Sequence, residues 1–184
     1  QYANLTQWKY AEFTQATNQY ITIPTTLTYP TTNLTISFWI KYTSATDSMW
    51  IFHKWNWSNG TNWYVIIHTG YSWQIAADIP YVAWDIWRSN IALNDGVWHH
   101  IACTKNWNSW KMYVDTVQKS TATNSASIYW GSATQWNIGR HQWNNQLFDW
   151  WLDEFIIEDR AWTQQDTKDY YNLMCENYWL TPIS

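Results

Sequence analysis

Four carboxylates stand close together near the C-terminus: Asp153, Glu154, Glu158 and Asp159. Glycosidic cleavage needs two carboxyl groups flanking one bond, one as acid and the other as base or nucleophile. On a strand, acids must alternate to face one substrate, because successive side chains point to opposite faces. Asp153 and Glu154 are neighbours and are expected on opposite faces. Glu154 and Glu158 share a face, but Ile156 lies between them where a further acid would stand. The spacing argues against a hydrolase, and no catalytic residue is assigned. His99 and His100 are also adjacent and diverge on a strand, so they cannot easily grip one ion. His53, His68 and His141 are isolated in sequence, and no zinc is expected.

Saccharide recognition asks for a different mixture: aromatic faces for stacking, and amides or arginine for hydroxyl groups. Two polar loops carry it. The first, 54 to 62, holds Trp55, Asn56, Trp57 and Asn59. The second, 140 to 146, holds Arg140, His141, Trp143 and Asn144. These eight residues are the candidate ligand-binding set. Ordinary solvated loops would share much of this composition, so the loops are candidates by chemistry alone.

The elements that must position these loops are read from composition and period. The chain has 184 residues, enough for one domain with one large core. It has 19 Trp and 13 Tyr but 5 Gly and 4 Pro, and only 13% charged residues. The formal net charge is -4, with no basic cluster, which sets nucleic acid aside as a partner. Apolar runs such as 36 to 40 and 64 to 67 are too short to cross a bilayer, so no membrane insertion is expected. Cys103 and Cys175 are too few for a disulfide framework; buried thiols or a single bridge between them both fit.

Period-two alternation recurs along the chain, with turn residues every ten or so positions. Strands are predicted over 21–24, 35–42, 50–54, 63–68, 73–78, 83–91, 98–104, 111–115, 135–139 and 151–157. Many short, evenly spaced strands indicate a β-sandwich or barrel. One helix is predicted after Thr163, a good N-cap with Asp166 three residues later, with Tyr170, Leu173 and Met174 on one face. The last ten residues read as a tail laid on the sandwich or as a linker to a further segment.

Four blocks, in order, resemble the laminin-G-like, concanavalin A-like lectin/glucanase jelly roll. They are Phe13, Asn18, Tyr20 and Ile23; the run Ile36-Ser37-Phe38-Trp39-Ile40; Asp95-Gly96-x-Trp98-His99-His100-x-Ala102-x-Thr104 followed by Met112-Tyr113-Val114-Asp115; and Phe148-Asp149-Trp150-x-Leu152-Asp153-Glu154-Phe155 continuing to Arg160, Ala161 and Thr163. The resemblance covers about residues 11 to 171, and a single domain is expected over 1–184. It implies an all-β fold: two antiparallel sheets in a jelly-roll sandwich with one short C-terminal helix. It also implies a structural Ca²⁺ with oxygen ligands, for which Asp153 is the first candidate and Asn18 and Asp149 the others.

Where the family places glycine, this chain repeatedly has tryptophan. Trp150 replaces the glycine of F-D-G, and Trp107 occupies a turn between two strands. Trp55, Trp57, Trp63, Trp110, Trp136 and Trp143 also stand in glycine-like contexts, whereas Trp39 and Trp98 read as core tryptophans. One explanation covers the tryptophan excess and the glycine deficit together: UGA codons that mean glycine to the producing organism. The resemblance implies a non-catalytic binding module outside the cell or on its surface, recognising glycan or a surface protein. The alternative is a structural head domain of an adhesin or pilus-like surface filament that mediates subunit packing.

Overall fold

Strand β3 (Asn33–Lys41) shows how the sandwich is made. Leu34, Ile36, Phe38 and Ile40 alternate inward, and Thr35, Ser37 and Trp39 alternate outward, yet all seven are buried. The inward set meets the opposite sheet; the outward set is covered by a helix. The computed structural model describes residues 10–13, 19–23, 32–43, 49–54, 66–79, 83–125, 136–140 and 148–183. Its other strands are β1 (Ala11–Glu12), β2 (Ile21–Ile23), β4 (Trp50–Lys54), β5 (Ile66–Thr69), β6 (Ile75–Ile79), β7 (Ala83–Arg88), β8 (His99–Asn106), β9 (Ser109–Val114), β10 (Val117–Thr123), β11 (Trp136–Ile138) and β12 (Trp151–Glu158). They form two six-stranded sheets, ordered β1-β12-β3-β8-β9-β10 and β2-β11-β4-β5-β6-β7. The result is the expected antiparallel jelly-roll sandwich.

One core fills the space between the sheets. On the second sheet, Ile138, Phe52, Ile67, Ala77 and Trp87 lie side by side in register. On the first, Ile36, Cys103 and Met112 form the facing row. Each large apolar side chain so buried contributes about 1.5–3 kcal/mol. The Trp87 indole N–H also donates across the sandwich to the Thr104 carbonyl at 3.2 Å.

Helix α1 (Gln164–Met174) starts as predicted, with Thr163 as N-cap and a complete capping box with Asp166. Its buried face is Thr167, Tyr171 and Met174, whereas Leu173 is 74% exposed. The predicted face was therefore rotated: Tyr171, not Leu173, meets the sheet. After α1, a 3₁₀ turn (Cys175–Tyr178) brings Tyr178 against Trp39, with ring centroids 4.2 Å apart and stacked. Tyr171 stacks on the same indole at 5.3 Å. Trp39 is thus buried on the outer face of the first sheet, outside the main core. Both cysteines are free and buried. Cys103 belongs to the main core and Cys175 to the Trp39 cluster on the other side of the sheet, so no bridge joins them.

The tryptophans divide into two groups. Trp110 and Trp136 are fully buried core residues, which corrects their reading as glycine-like. Trp73, Trp107 and Trp179 have φ of 57°, 51° and 60°, in the left-handed region that side chains with a Cβ avoid. Trp150 does not share that conformation and packs against the core.

Candidate functional site

Of the eight residues predicted to bind ligand, Arg140 falls within the described residues. Its guanidinium carbon sits 3.7 Å from the centre of the Tyr20 ring, a cation–π contact. Its Nε is buried without a hydrogen-bond partner. Trp55, Asn56, Trp57, Asn59, His141, Trp143 and Asn144 lie outside the described residues. The strands do fix where their loops begin. In the β4–β11 pair, Lys54 is opposite Trp136 and Phe52 opposite Ile138. The loop after Lys54 and the loop after Arg140 therefore leave from opposite ends of that pair.

The outer face of the second sheet carries polar groups that sequence spacing did not connect. A bulge in β4 turns Ile51 and Phe52 inward together and leaves Trp50 and His53 on the outside. The Trp50 ring contacts His53 at 5.3 Å and His68 at 5.6 Å. His68 Nε2 is 2.9 Å from Asp78 Oδ2. Asn137, opposite His53, is fully buried, and its Nδ2 has no hydrogen-bond partner. Two histidines read as isolated thus share one face through strand pairing. Among the described residues, no group of three or more His, Cys, Asp or Glu side chains could hold a metal.

The outer face of the first sheet is divided. Helix α1 covers the β3 and β8 part. Beyond it, a cleft of about 210 Å³ opens between β8, β9, β10 and the β12–α1 connection. Its floor is set by strand register: Thr104 pairs with Lys111, Asn106 with Ser109, and Tyr113 with Gln118. Its wall is the segment Ala161–Gln164. That segment is pinned to β3, because Trp162 N donates to Thr35 Oγ1 at 2.9 Å and Thr35 Oγ1 donates to the Arg160 carbonyl at 2.6 Å. Among the described residues, no carboxylate lines the cleft. Its groups are hydroxyls, amides, one ammonium and two rings.

The acidic cluster took an unexpected shape. The pairing of β12 with β3 shifts between Asp153 and Ile156, and Glu154 has φ 48°. This bulge overturns the expectation that Asp153 and Glu154 face opposite sides. Both line one cavity of about 180 Å³, otherwise walled by apolar residues such as Phe13, Ile138 and Phe155. Asp153 Oδ2 accepts from the Tyr178 hydroxyl at 2.9 Å, and its Oδ1 from Glu154 N at 2.9 Å. Burial, then the charge of Asp153, raises the Glu154 pKa, while Tyr170 opposes the shift. Calcium takes six to eight oxygen ligands. Around Asp153 the described donors are the protein's own N–H and O–H groups, so its carboxylate serves as the socket for Tyr178. Asp149 stands two residues before β12, and Asn18 lies outside the described residues.

The family model described as the concanavalin A-like lectin/glucanases superfamily matches residues 15–168. The chain belongs to that superfamily. Among solved structures, it is similar to a candidate carbohydrate binding protein from Bacteroides ovatus, with 17% identity and a TM-score of 0.65, covering 81% of this chain and 43% of that one. It is also similar to domain 4 of AbnA, a GH43 extracellular arabinanase from Geobacillus stearothermophilus solved with arabinotriose, with 19% identity, a TM-score of 0.64 and coverage of 87% and 75%. A third is the binding domain of botulinum neurotoxin DC in complex with SialylT, with 13% identity, a TM-score of 0.56 and coverage of 78% and 36%. The chain spans less than half the length of the first of these proteins and three quarters of the second. At these identities the likeness is one of fold. No curated protein matches the chain.

For a member of this superfamily, the cleft was the part hardest to see in advance. Thr104, Asn106, Ser109 and Lys111 are alternate polar positions that read as ordinary solvent-facing residues of a half-buried hairpin. The available signal was the β10 segment VQKSTAT, too polar to be predicted as a strand, which supplies Gln118. No described helix is long and apolar enough to cross a membrane.

Proposed function

We propose that the chain is a non-catalytic binding module that recognises glycan outside the cell. The observation that carries this reading is the cleft on the first sheet. It presents amides, hydroxyls, an ammonium and ring edges but no carboxylate, so it can hold sugar hydroxyls without supplying an acid and a base. The adjacent carboxylates Asp153 and Glu154 are engaged instead with Tyr178 and Tyr170 beside α1. The neighbours solved with arabinotriose and SialylT support saccharide as the ligand class.

In mechanism, Asn106, Gln118 and Gln164 each offer an amide that can donate and accept. Ser109 and Thr104 add hydroxyls, and the Trp162 and Tyr113 rings bound the apolar side. Three or four hydrogen bonds at about 1 kcal/mol each correspond to a dissociation constant of about 1 mM. Such a module gains function when repeated or joined to other domains. A glycan array tests the reading. Reproducible binding without turnover of the bound sugar is the expected result. No binding, together with concentration-dependent self-association, would favour a packing role. A supporting Ca²⁺ at Asp153, with Asn18 and Asp149 as further ligands, is a separate proposal, tested by repeating the array in EDTA; binding that survives EDTA removes it.

A further inference from the structure

We propose that the cleft is built for an acidic saccharide, with the sugar carboxylate held by Lys111. This rests on the glycan-binding reading and names its site and ligand class. Among the described residues, Lys111 is the only charged residue of the lining, and no carboxylate pairs with it. The acids that flank the wall segment in sequence are already matched: Arg160 holds Glu158 at 3.1 Å and Asp166 at 2.7 Å. The α1 N-terminus at the rim is capped by Asp166 and adds no anion site of its own. Among the described residues, the lining thus combines amides and hydroxyls with one ammonium that no carboxylate pairs. At about 210 Å³ the cleft is below the roughly 300–1,000 Å³ of sites for larger ligands, so it suits one sugar ring.

The test titrates the isotope-labelled chain with methyl β-glucuronide and with methyl β-glucoside, which differ at the carboxylate, and follows backbone amide shifts. The expected result is shifts at Asn106, Ser109 and Gln118, with the glucuronide bound about fivefold more tightly. Lys111→Met should abolish that preference without changing the unfolding midpoint. Shifts confined to the Trp50 and His68 face would overturn the cleft as the site while leaving the glycan-binding reading standing. A preference that survives Lys111→Met would overturn the role of the ammonium. No shift with either probe and no hit on a glycan array would remove both readings.

A separate observation carries a second inference. The geometry points to glycine as the residue for which positions 73, 107 and 179 were selected, through UGA codons that the producing organism decodes as glycine. All three hold tryptophan at left-handed φ, and they are 36%, 67% and 96% exposed. A Cβ is disfavoured in that region, whereas glycine enters it freely. The buried Trp39, Trp87, Trp110 and Trp136 provide the contrast, being fully enclosed. Reading the gene tests this directly: UGA is expected at the three exposed positions and UGG at the four buried ones. Peptide masses of the chain from its own source should then show glycine at 73, 107 and 179. UGG codons there, or tryptophan masses, overturn the inference.

Discussion

The outer faces of the two sheets use the same alternation of strand residues for different ends. On the first sheet, the outward histidine His100 is sealed beneath α1, with Ser37 Oγ 2.7 Å from its Nε2 and the Trp39 ring 5.1 Å away. On the second sheet, the outward histidine His68 stays partly exposed and pairs with Asp78. The difference lies in what covers the face. A helix with an aromatic side makes an outward position part of a second core, and a polar row then becomes structural. The outer face of the second sheet is mixed: His53 and Asn137 are fully buried, whereas the His68 ring keeps part of its surface exposed. The cleft beside α1 shows both regimes on one sheet, within a few residues of each other.

The sharpest way to break this comparison is Trp39→Ala. Trp39 is fully buried between the sheet and the tail rings, so its loss should cost about 3–5 kcal/mol and release α1. Urea unfolding measures this. Trp50→Ala on the other face should cost much less, because that ring is only partly buried. Equal losses would mean that the two faces are not different in kind.

Next in size is a pH effect. Burial pushes His100 down to about 3, with the Asp115 charge opposing. In the unfolded chain the same ring titrates near its ordinary value of about 6.5. The unfolded state therefore binds more protons between those values, and stability should fall as pH drops from about 6.5 towards 3, by up to about 5 kcal/mol. His99 acts in the other direction. Burial lowers its pKa, but the Asp115 bond and the Asp115 and Asp95 charges outweigh this and raise it. Its contribution is full below about 6.5 and is lost as pH rises through the raised value. His100→Gln should flatten the acid limb of the stability curve; an unchanged acid limb would mean that His100 is not the group responsible.

Smaller again is Tyr178→Phe. It removes one hydrogen bond to Asp153 while keeping the ring on Trp39, and should cost about 1 kcal/mol. Asp153→Asn should cost a similar amount. If Asp153 were instead chiefly a calcium ligand, its substitution would make stability insensitive to EDTA, which Tyr178→Phe would not do.

Much of this arrangement was legible in the sequence because it is local. The Thr163–Asp166 capping box placed the start of α1, and the alternation around Phe38 placed β3. What escaped was set by pairing between distant segments. His53 and His68 are fifteen positions apart in sequence and both reach the Trp50 ring because β4 lies beside β5, around a bulge that spacing does not reveal. Asp153 and Glu154 came to line one cavity for the same kind of reason. Tyr171 rather than Leu173 faces the sheet, where it joins Trp39 on β3 and Tyr178 of the following 3₁₀ turn in one cluster. Of the predicted ligand set, only Arg140 can be placed, and its stacking on Tyr20 joins segments 120 positions apart.

The smallest predicted effect has the most informative sign, and it narrows the comparison to a single hairpin. Trp107 lies in the turn between β8 and β9, at φ 51° and 67% exposed. Trp110, three residues later, is fully buried, lies tilted against Trp87 with ring centroids 4.9 Å apart and donates its indole N–H to the Asn124 carbonyl at 2.8 Å. Replacing either by glycine removes the same atoms. At Trp110 the loss of packing dominates, and the cost should be about 3–5 kcal/mol. At Trp107 little packing is lost and a disfavoured conformation is relieved, so the chain should gain about 1 kcal/mol. Denaturation midpoints of the two variants measure the difference. Opposite signs are expected; a loss at both positions would show that the exposed ring is held by contacts that outweigh its backbone strain.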